Sequence, residues 1–263
     1  MKVVFIGAGN LATQLSLCMR KTGYEIVQVY SRTEESASLL AGRLDCPYVT
    51  SLECIVPDAN LYIVALKDSA LVELLPQIAA SKSENALFVH TAGSLPMSIW
   101  KGYAKHYGVF YPMQTFSKAR EVEFENIPIF VEADQESDIE TLKTLGRSLS
   151  NVVMEADSEQ RRYVHLSAVF VCNFANHMFT VGEHLLREHQ LPFNIMYPLI
   201  KETTEKVLGG MNPSEAQTGP AVRYDRNVMD KHVRLLSAHP LWQHLYEEIS
   251  KSIYHDKLRS EKN

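Results

Sequence analysis

Up to residue 156, short apolar runs alternate with stretches of helical periodicity. The runs "VVFI", "IVQVY", "LYIVAL", "ALFVH", "VFY", "IPIFV" and "VVM" are nearly continuous in hydrophobicity. Strands covered on both faces read this way, whereas half-exposed strands alternate. The βαβ rhythm predicts a doubly wound, mostly parallel α/β sheet over residues 1–156.

From Asp157 the rhythm stops. Asp157 followed by Gln160 has the spacing of a capping box, and the segment it opens runs to about His189 with no proline and one glycine, Gly182. Beyond it, Pro192, Pro213, Pro220 and Pro240 divide a series of helical patterns. An all-helical domain is therefore expected over 157–263. Its last helix carries Leu241, Leu245, Ile249 and Ile253 at four-residue spacing, one apolar stripe that packs on the same chain or on a second subunit.

A length of 263 residues fits two modest domains. The composition, 46% hydrophobic and 22% charged, is that of a soluble globular chain. No apolar run approaches the roughly 20 residues of a membrane span, and "MKVVFIGAGN" reads as a strand and a turn, not as a signal peptide. A cytoplasmic location is the expectation. Cys18, Cys46, Cys54 and Cys172 lack metal-ligand spacing, so no metal is expected and buried free thiols are. The net charge of -5 is dispersed without a basic stripe, which argues against nucleic acid as a partner. The tail "KLRSEKN" is expected to fray.

The chemistry begins at the first strand. "VVFIGAGNLATQLSLCM" places Gly7-x-Gly9-x-x-Ala12 between a strand and an amphipathic helix. The first glycine permits the tight turn, the second lets a pyrophosphate approach the backbone, and Ala12 allows close helix packing. Asn10 and Leu11 lie at the helix start, where free N–H groups attract anions. This is a Rossmann dinucleotide site. At the end of the second strand, an acid would select NAD through the ribose hydroxyl; the chain has Ser31, Arg32 and Thr33 instead, which suit the 2'-phosphate of NADP(H). The alternative for Arg32 is a solvated loop residue.

Later strand ends should line the same crevice: Ala65 and Leu66 in "ALKDSA", His90 in "HTAGS", Gln114 in "YPMQTF". His90 reads either as a donor to a carbonyl or as a histidine satisfied by neighbouring backbone. Gln114 reads as a carboxamide ligand or as a brace for its own loop.

On an ideal helix from Asp157, His165, Asn173, Asn176 and Thr180 share a sector of about 80°, with Phe170, Val171, Phe174, Met178 and Val181 opposite. Such a helix is a cleft wall or a buried helix with satisfied polar groups. Further on, "QTGPAVRYD" sets a Gly219-Pro220 turn beside Thr218, Arg223 and Asp225. Thr218 and the nearby N–H groups can meet an oxygen, Arg223 can clamp a carboxylate and Asp225 can orient Arg223. Equally, Thr218 is a helix cap and the other two an exposed pair.

Together, "GAGNLA", "HTAGS", "YPMQTFS", "RRYVHLSAVFVCN" and "TGPAVRYD" resemble a bacterial Rossmann-like family of NADP oxidoreductases with a helical C-terminal domain of unknown function. That family is related in architecture to pyrroline-5-carboxylate reductases, β-hydroxyacid dehydrogenases and deazaflavin-dependent NADP oxidoreductases. The resemblance covers essentially the whole chain. It implies an NADP-binding N-terminal domain and a homodimer through the helical domain, but no substrate. Two departures stand out. The family's Arg-Gly-Asp is Arg223-Tyr224-Asp225 here, and the catalytic lysine that β-hydroxyacid dehydrogenases carry on the interdomain helix is absent from residues 157–190. His165 is the nearest substitute as proton donor, with Asn173 to orient it, Thr218 to bind oxygen and Arg223 to anchor a carboxylate. The expected activity is hydride transfer to a C=O or C=N group of a small carboxylate-bearing metabolite; the rival is a catalytically silent NADP(H)-binding sensor.

Overall fold

The computed structural model describes residues 1–80 and 82–260. The chain forms two compact units, Met1–Asn173 and Phe174–Asn263.

The first unit is built on one eight-stranded sheet. Its strands are β1 (Lys2–Ile6), β2 (Glu25–Tyr30), β3 (Tyr48–Val49), β4 (Leu61–Val64), β5 (Leu87–His90), β6 (His106–Pro112), β7 (Ile129–Ala133) and β8 (Val153–Glu155). Their order is β3-β2-β1-β4-β5-β6-β7-β8. All pairs are parallel except β6 with β7. Helices α1 (Asn10–Lys21), α2 (Glu34–Leu44), α3 (Asp68–Ala79) and α4 (Glu136–Leu149) connect them. The seven apolar runs all become strands. The two-residue β3 escapes notice in the sequence because it is too short to show a pattern.

Alternation along each strand separates two apolar layers. Val3, Phe5, Leu61, Ile63 and Val89 pack on one side, with Leu15 of α1 and Leu142 of α4. Val4, Ile6, Tyr62, Val64 and Phe88 pack on the other, with Leu71 and Leu75 of α3 and Trp100. Burial on both faces explains why the runs read as continuously hydrophobic. The order also reverses direction between β1 and β4, so a crevice opens at their carboxyl ends.

Helix α5 (Ser158–Ala168) starts as its sequence indicates. The Asp157 carboxylate accepts from the Glu159 and Gln160 amides, while the Gln160 side chain accepts from the Asp157 amide. The helix then widens into a π segment, Val169–Phe174, before α6 (Ala175–Glu188). The two units divide at the end of this π segment rather than at residue 156. Arg161 is one reason: its guanidinium is wholly enclosed, pairs with Glu132 of β7 at 2.5 Å and donates to the Ala92 and Leu95 carbonyls, which fastens α5 to the sheet unit.

The second unit contains α6, α7 (Tyr197–Leu208), α8 (Pro213–Ala216), α9 (Arg226–Leu235) and α10 (Pro240–Ser260). The expected fraying does not begin at Lys257, since α10 continues to Ser260; the rest of the tail, residues 261–263, lies outside the described residues. The stripe on α10 divides. Leu245, Ile249 and Ile253 line a half-open cavity, while Leu241 is 84% exposed.

Two expectations need correction. Ser158–Glu188 is long and apolar enough to cross a membrane by length and composition alone, with Phe170, Val171 and Phe174 exposed rather than packed behind a cleft. Charges at its start broke the apolar run in the sequence without lowering the average further along. Nor are all the thiols buried: Cys18 and Cys46 are partly enclosed, but Cys54 and Cys172 are exposed.

Candidate active site

The loop between β1 and α1 is shaped by a backbone that only glycine tolerates. Gly7 has φ +118°, and a Cβ there would collide with the Ala65 carbonyl oxygen at the end of β4 and touch Leu66. The turn is pinned by Gly7 N–H to Tyr30 O at 2.8 Å and Ala65 N–H to Ile6 O at 2.8 Å. Gly9 behaves differently. It caps α1 with no side-chain hydrogen bond, and a Cβ there would meet nothing within 4 Å. The space in front of the first α1 amides, at the exposed Asn10 and partly exposed Leu11, is therefore open, with no acid in the first turn to repel an anion. Ala12 is fully buried against the sheet.

Ser31, Arg32 and Thr33 follow β2 on the same rim. Thr33 caps α2 through its backbone without using its side chain, and Arg32 is exposed with no ion-pair partner among the described residues. The donors suited to a phosphate are uncommitted.

His90 does not line an open surface. The ring is fully buried, Nδ1 accepts from the Ala92 amide at 3.2 Å, and Nε2 has no well-formed hydrogen bond. Burial, helped by the nearby Arg161 charge and opposed by the Pro96 carbonyl, lowers its pKa from 6.5 to about 3. His90 is a neutral structural residue. Gln114 turns inward on its own loop, its Oε1 accepting from the Thr115 amide at 2.8 Å and the Thr115 hydroxyl at 3.2 Å.

Beside Gln114 lies a cavity of about 950 Å³ at the carboxyl end of β6, walled by Tyr111, Phe130, Val164, His165, Cys172 and Asn173 among others. His165 is held from two sides. Its Nδ1 lies 3.1 Å from the Tyr111 hydroxyl, and a Cβ on Gly93 would come within 2.8 Å of the same nitrogen. Thus "HTAGS" and "YPMQTF" both converge on the imidazole. Burial raises the Tyr111 pKa, with Arg161 opposing, so the phenol stays protonated.

The orienting role expected of Asn173 falls to Tyr111. Eight helical residues advance about 12 Å, beyond hydrogen-bond reach, although both residues wall the cavity. The expected stripe also fails to continue to Asn176 and Thr180, because the π segment has more residues per turn and the 100° count does not carry across it. Tyr111, Gly93, Arg161 and Glu132 were all overlooked in the sequence. Tyr111, Gly93 and Arg161 lie inside motifs singled out above, whereas the pairing of Arg161 with Glu132 spans 29 residues with no local signal.

In the helical unit, Thr218 lies beside Gly219, which has φ +106°, and lines a cavity; it caps no helix. Arg223 is exposed and has no hydrogen-bond or ion-pair partner among the described residues. Asp225 does not orient it but caps α9, accepting from the Val228 amide at 3.3 Å. Tyr224 occupies the left-handed region at φ +52°, stacked on Tyr254 at 4.4 Å and bonded through its hydroxyl to Arg226 at 2.7 Å.

Residues 2–93 match the model of the coenzyme F420-dependent NADP oxidoreductases, and residues 127–253 match a domain of unknown function, DUF2520. No curated protein matches the chain. Among solved structures, a provisionally designated NADP oxidoreductase of Bacteroides fragilis is 55% identical over 97% of this chain and 98% of its own, with a TM-score of 0.92. A protein of Thermotoga maritima is 21% identical over 99% and 100%, at 0.72. A pyrroline carboxylate reductase of Plasmodium falciparum with NADP bound is 12% identical over 97% and 98%, at 0.59. The last two share the fold.

Proposed function

Since the chain belongs to the NADP oxidoreductase family that carries this C-terminal domain of unknown function, we propose that it is an NADPH-dependent reductase acting on a C=O or C=N group of a small, carboxylate-bearing metabolite. NADP(H) is the cofactor of the family, and the residues of the first unit fit it. Gly7 makes a turn no other residue can make, Gly9 leaves the α1 amides open to a pyrophosphate, and Ser31, Arg32 and Thr33 offer uncommitted donors to a 2'-phosphate. When bound, the reduced nicotinamide supplies the hydride.

The observation that carries the chemical assignment is the Tyr111–His165 pair at the wall of the 950 Å³ cavity. A protonated Tyr111 donates to Nδ1 and so holds His165 as the tautomer that carries its proton on Nε2. That N–H is assigned to polarise the acceptor group and to protonate the product atom. Asn173 supplies a second hydrogen-bonding group on the same wall. Arg223, exposed and uncommitted, is assigned to the substrate carboxylate, and Thr218 to an oxygen contact.

The helical unit supports a homodimer. Leu208, Leu235 and Leu241 are 79%, 78% and 84% exposed. A second subunit is our assignment for covering these residues and the apolar face of α5 and α6, in place of a membrane, and light scattering tests it. The dispersed charge argues against nucleic acid as a partner, and the free thiols suit the cytosol.

The cofactor assignment is tested by comparing the NADPH and NADH dissociation constants of the wild type and Arg32→Ala. The wild type should prefer NADPH, and the variant should lose about tenfold or more for NADPH alone. Equal affinities in the wild type would defeat the assignment. One observation favours a second reading, a silent NADP(H)-binding sensor: no lysine occurs between residues 157 and 190. Tight NADPH binding without oxidation by any keto acid or cyclic imine would support it.

A further inference from the structure

The helical unit carries a second, half-open cavity of about 370 Å³, at the small end of the range of roughly 300–1,000 Å³ that small-molecule sites occupy. Most of its wall is apolar, contributed by Met178 and Val181 of α6, Leu236 and, from α10, Trp242, Leu245 and Ile249. Four polar side chains break that wall, Thr218, His232, Tyr246 and Ser250. Ser250 is 4% exposed, and its hydroxyl has no hydrogen-bond partner among the described residues. His232 and Tyr246 share one hydrogen bond, Nδ1 to hydroxyl, at 2.9 Å.

That pair always has a hydrogen to spare. If the phenol donates to Nδ1, the neutral imidazole keeps Nε2–H; if Nδ1–H donates, the phenol keeps its O–H. With the Ser250 and Thr218 hydroxyls, the wall therefore offers three donors and no carboxylate among its lining residues. A hydroxyl that faces a mostly apolar cavity and is not engaged by the protein is free to meet an acceptor group arriving from outside.

We propose that this cavity binds a small amphipathic carboxylate, its hydrocarbon part against Trp242, Leu245 and Ile249 and its carboxyl group on Ser250 and the His232–Tyr246 pair. The site lies wholly within the helical unit and shares only Thr218 with the proposed reductase reading, so its occupancy is read apart from turnover.

Trp242 makes the site directly observable, because the chain's other tryptophan, Trp100, is fully buried in the first unit. Octanoate titrated into the full-length protein should change tryptophan emission saturably with a stoichiometry of one per chain by calorimetry, whereas octylamine, with the same tail and a cationic head, should not. Ser250→Ala should weaken octanoate about tenfold, the equivalent of losing one charge-assisted hydrogen bond. Ile253→Phe, which narrows the cavity, should abolish it. Both variants should keep the wild-type helical circular dichroism and thermal unfolding, which shows that the helical unit is folded. Absence of saturable octanoate binding, equal response to octylamine, or binding untouched by both substitutions would overturn the proposal. So would octanoate binding only to protein diluted to monomer, which would assign the cavity to a second copy of the chain.

Discussion

The Tyr111 hydroxyl lies 3.1 Å from His165 Nδ1, joining the carboxyl end of β6 to α5. Tyr111 is buried and His165 only partly so, and the tyrosine acts on the proposed reaction through the ring it holds. Replacing Tyr111 by Phe keeps the packing and removes the hydrogen bond. Turnover should fall about tenfold to a hundredfold as the imidazole loses its fixed tautomer, with little change in NADPH affinity. Steady-state kinetics beside an NADPH titration checks this; an equal loss in both would assign Tyr111 to folding instead.

His90 gives the protein an acid sensitivity of definite sign. Its folded pKa of about 3 lies below its ordinary 6.5, so the unfolded chain binds the extra proton between those values. Stability therefore falls as pH drops from about 6.5 towards 3, and this contribution is fully present above that window. His90→Gln should flatten the slope of unfolding free energy against pH there, whatever it costs at neutral pH. Urea denaturation at several pH values measures it; an unchanged slope would mean that the ring is not the group responsible.

Two glycines of one motif should fail differently. Gly7→Ala pushes a Cβ into the Ala65 carbonyl and forces a positive φ on a residue with a side chain, so it should destabilise the fold by about 1–3 kcal/mol or more and weaken NADPH binding as well. Gly9→Ala meets no protein atom and should fold normally while losing most NADPH affinity. Thermal unfolding with a binding titration separates them, and normal NADPH binding by the Gly9 variant would remove the pyrophosphate from that loop.

Tyr224 adopts a backbone conformation that suits glycine, and its stack on Tyr254 offsets the strain. Tyr224→Ala keeps the strain and loses the stack; Tyr224→Gly loses both. The glycine variant should be more stable than the alanine variant by about 1 kcal/mol in urea unfolding. The reverse order would show that the left-handed conformation costs nothing here.

Local physics was legible in the sequence, and long-range pairing was not. Seven strands, the Gly7 turn and the Asp157–Gln160 capping box each depend on residues a few positions apart, and they stand where the pattern puts them. Tyr111 and His165 are separated by 54 residues, and no periodicity links them. The π segment misled the face count because one wide turn leaves no mark in composition. His90 looked like a crevice residue because it ends a strand, yet the loop after β5 folds over it and encloses the ring. Asp225 was paired in anticipation with Arg223, but the nearer need was the unsatisfied first turn of α9.

The most direct measurement follows NADPH absorbance in the presence of pooled keto acids and cyclic imines, with the wild type and His165→Gln side by side. A reductase working through His165 oxidises NADPH with one pool; the variant should be slower by about a hundredfold or more at undiminished NADPH affinity. Oxidation at the same rate by both proteins would remove His165 from the chemistry. Tight binding by the wild type with no oxidation in any pool would contradict the reductase and leave a protein that holds its cofactor without using it.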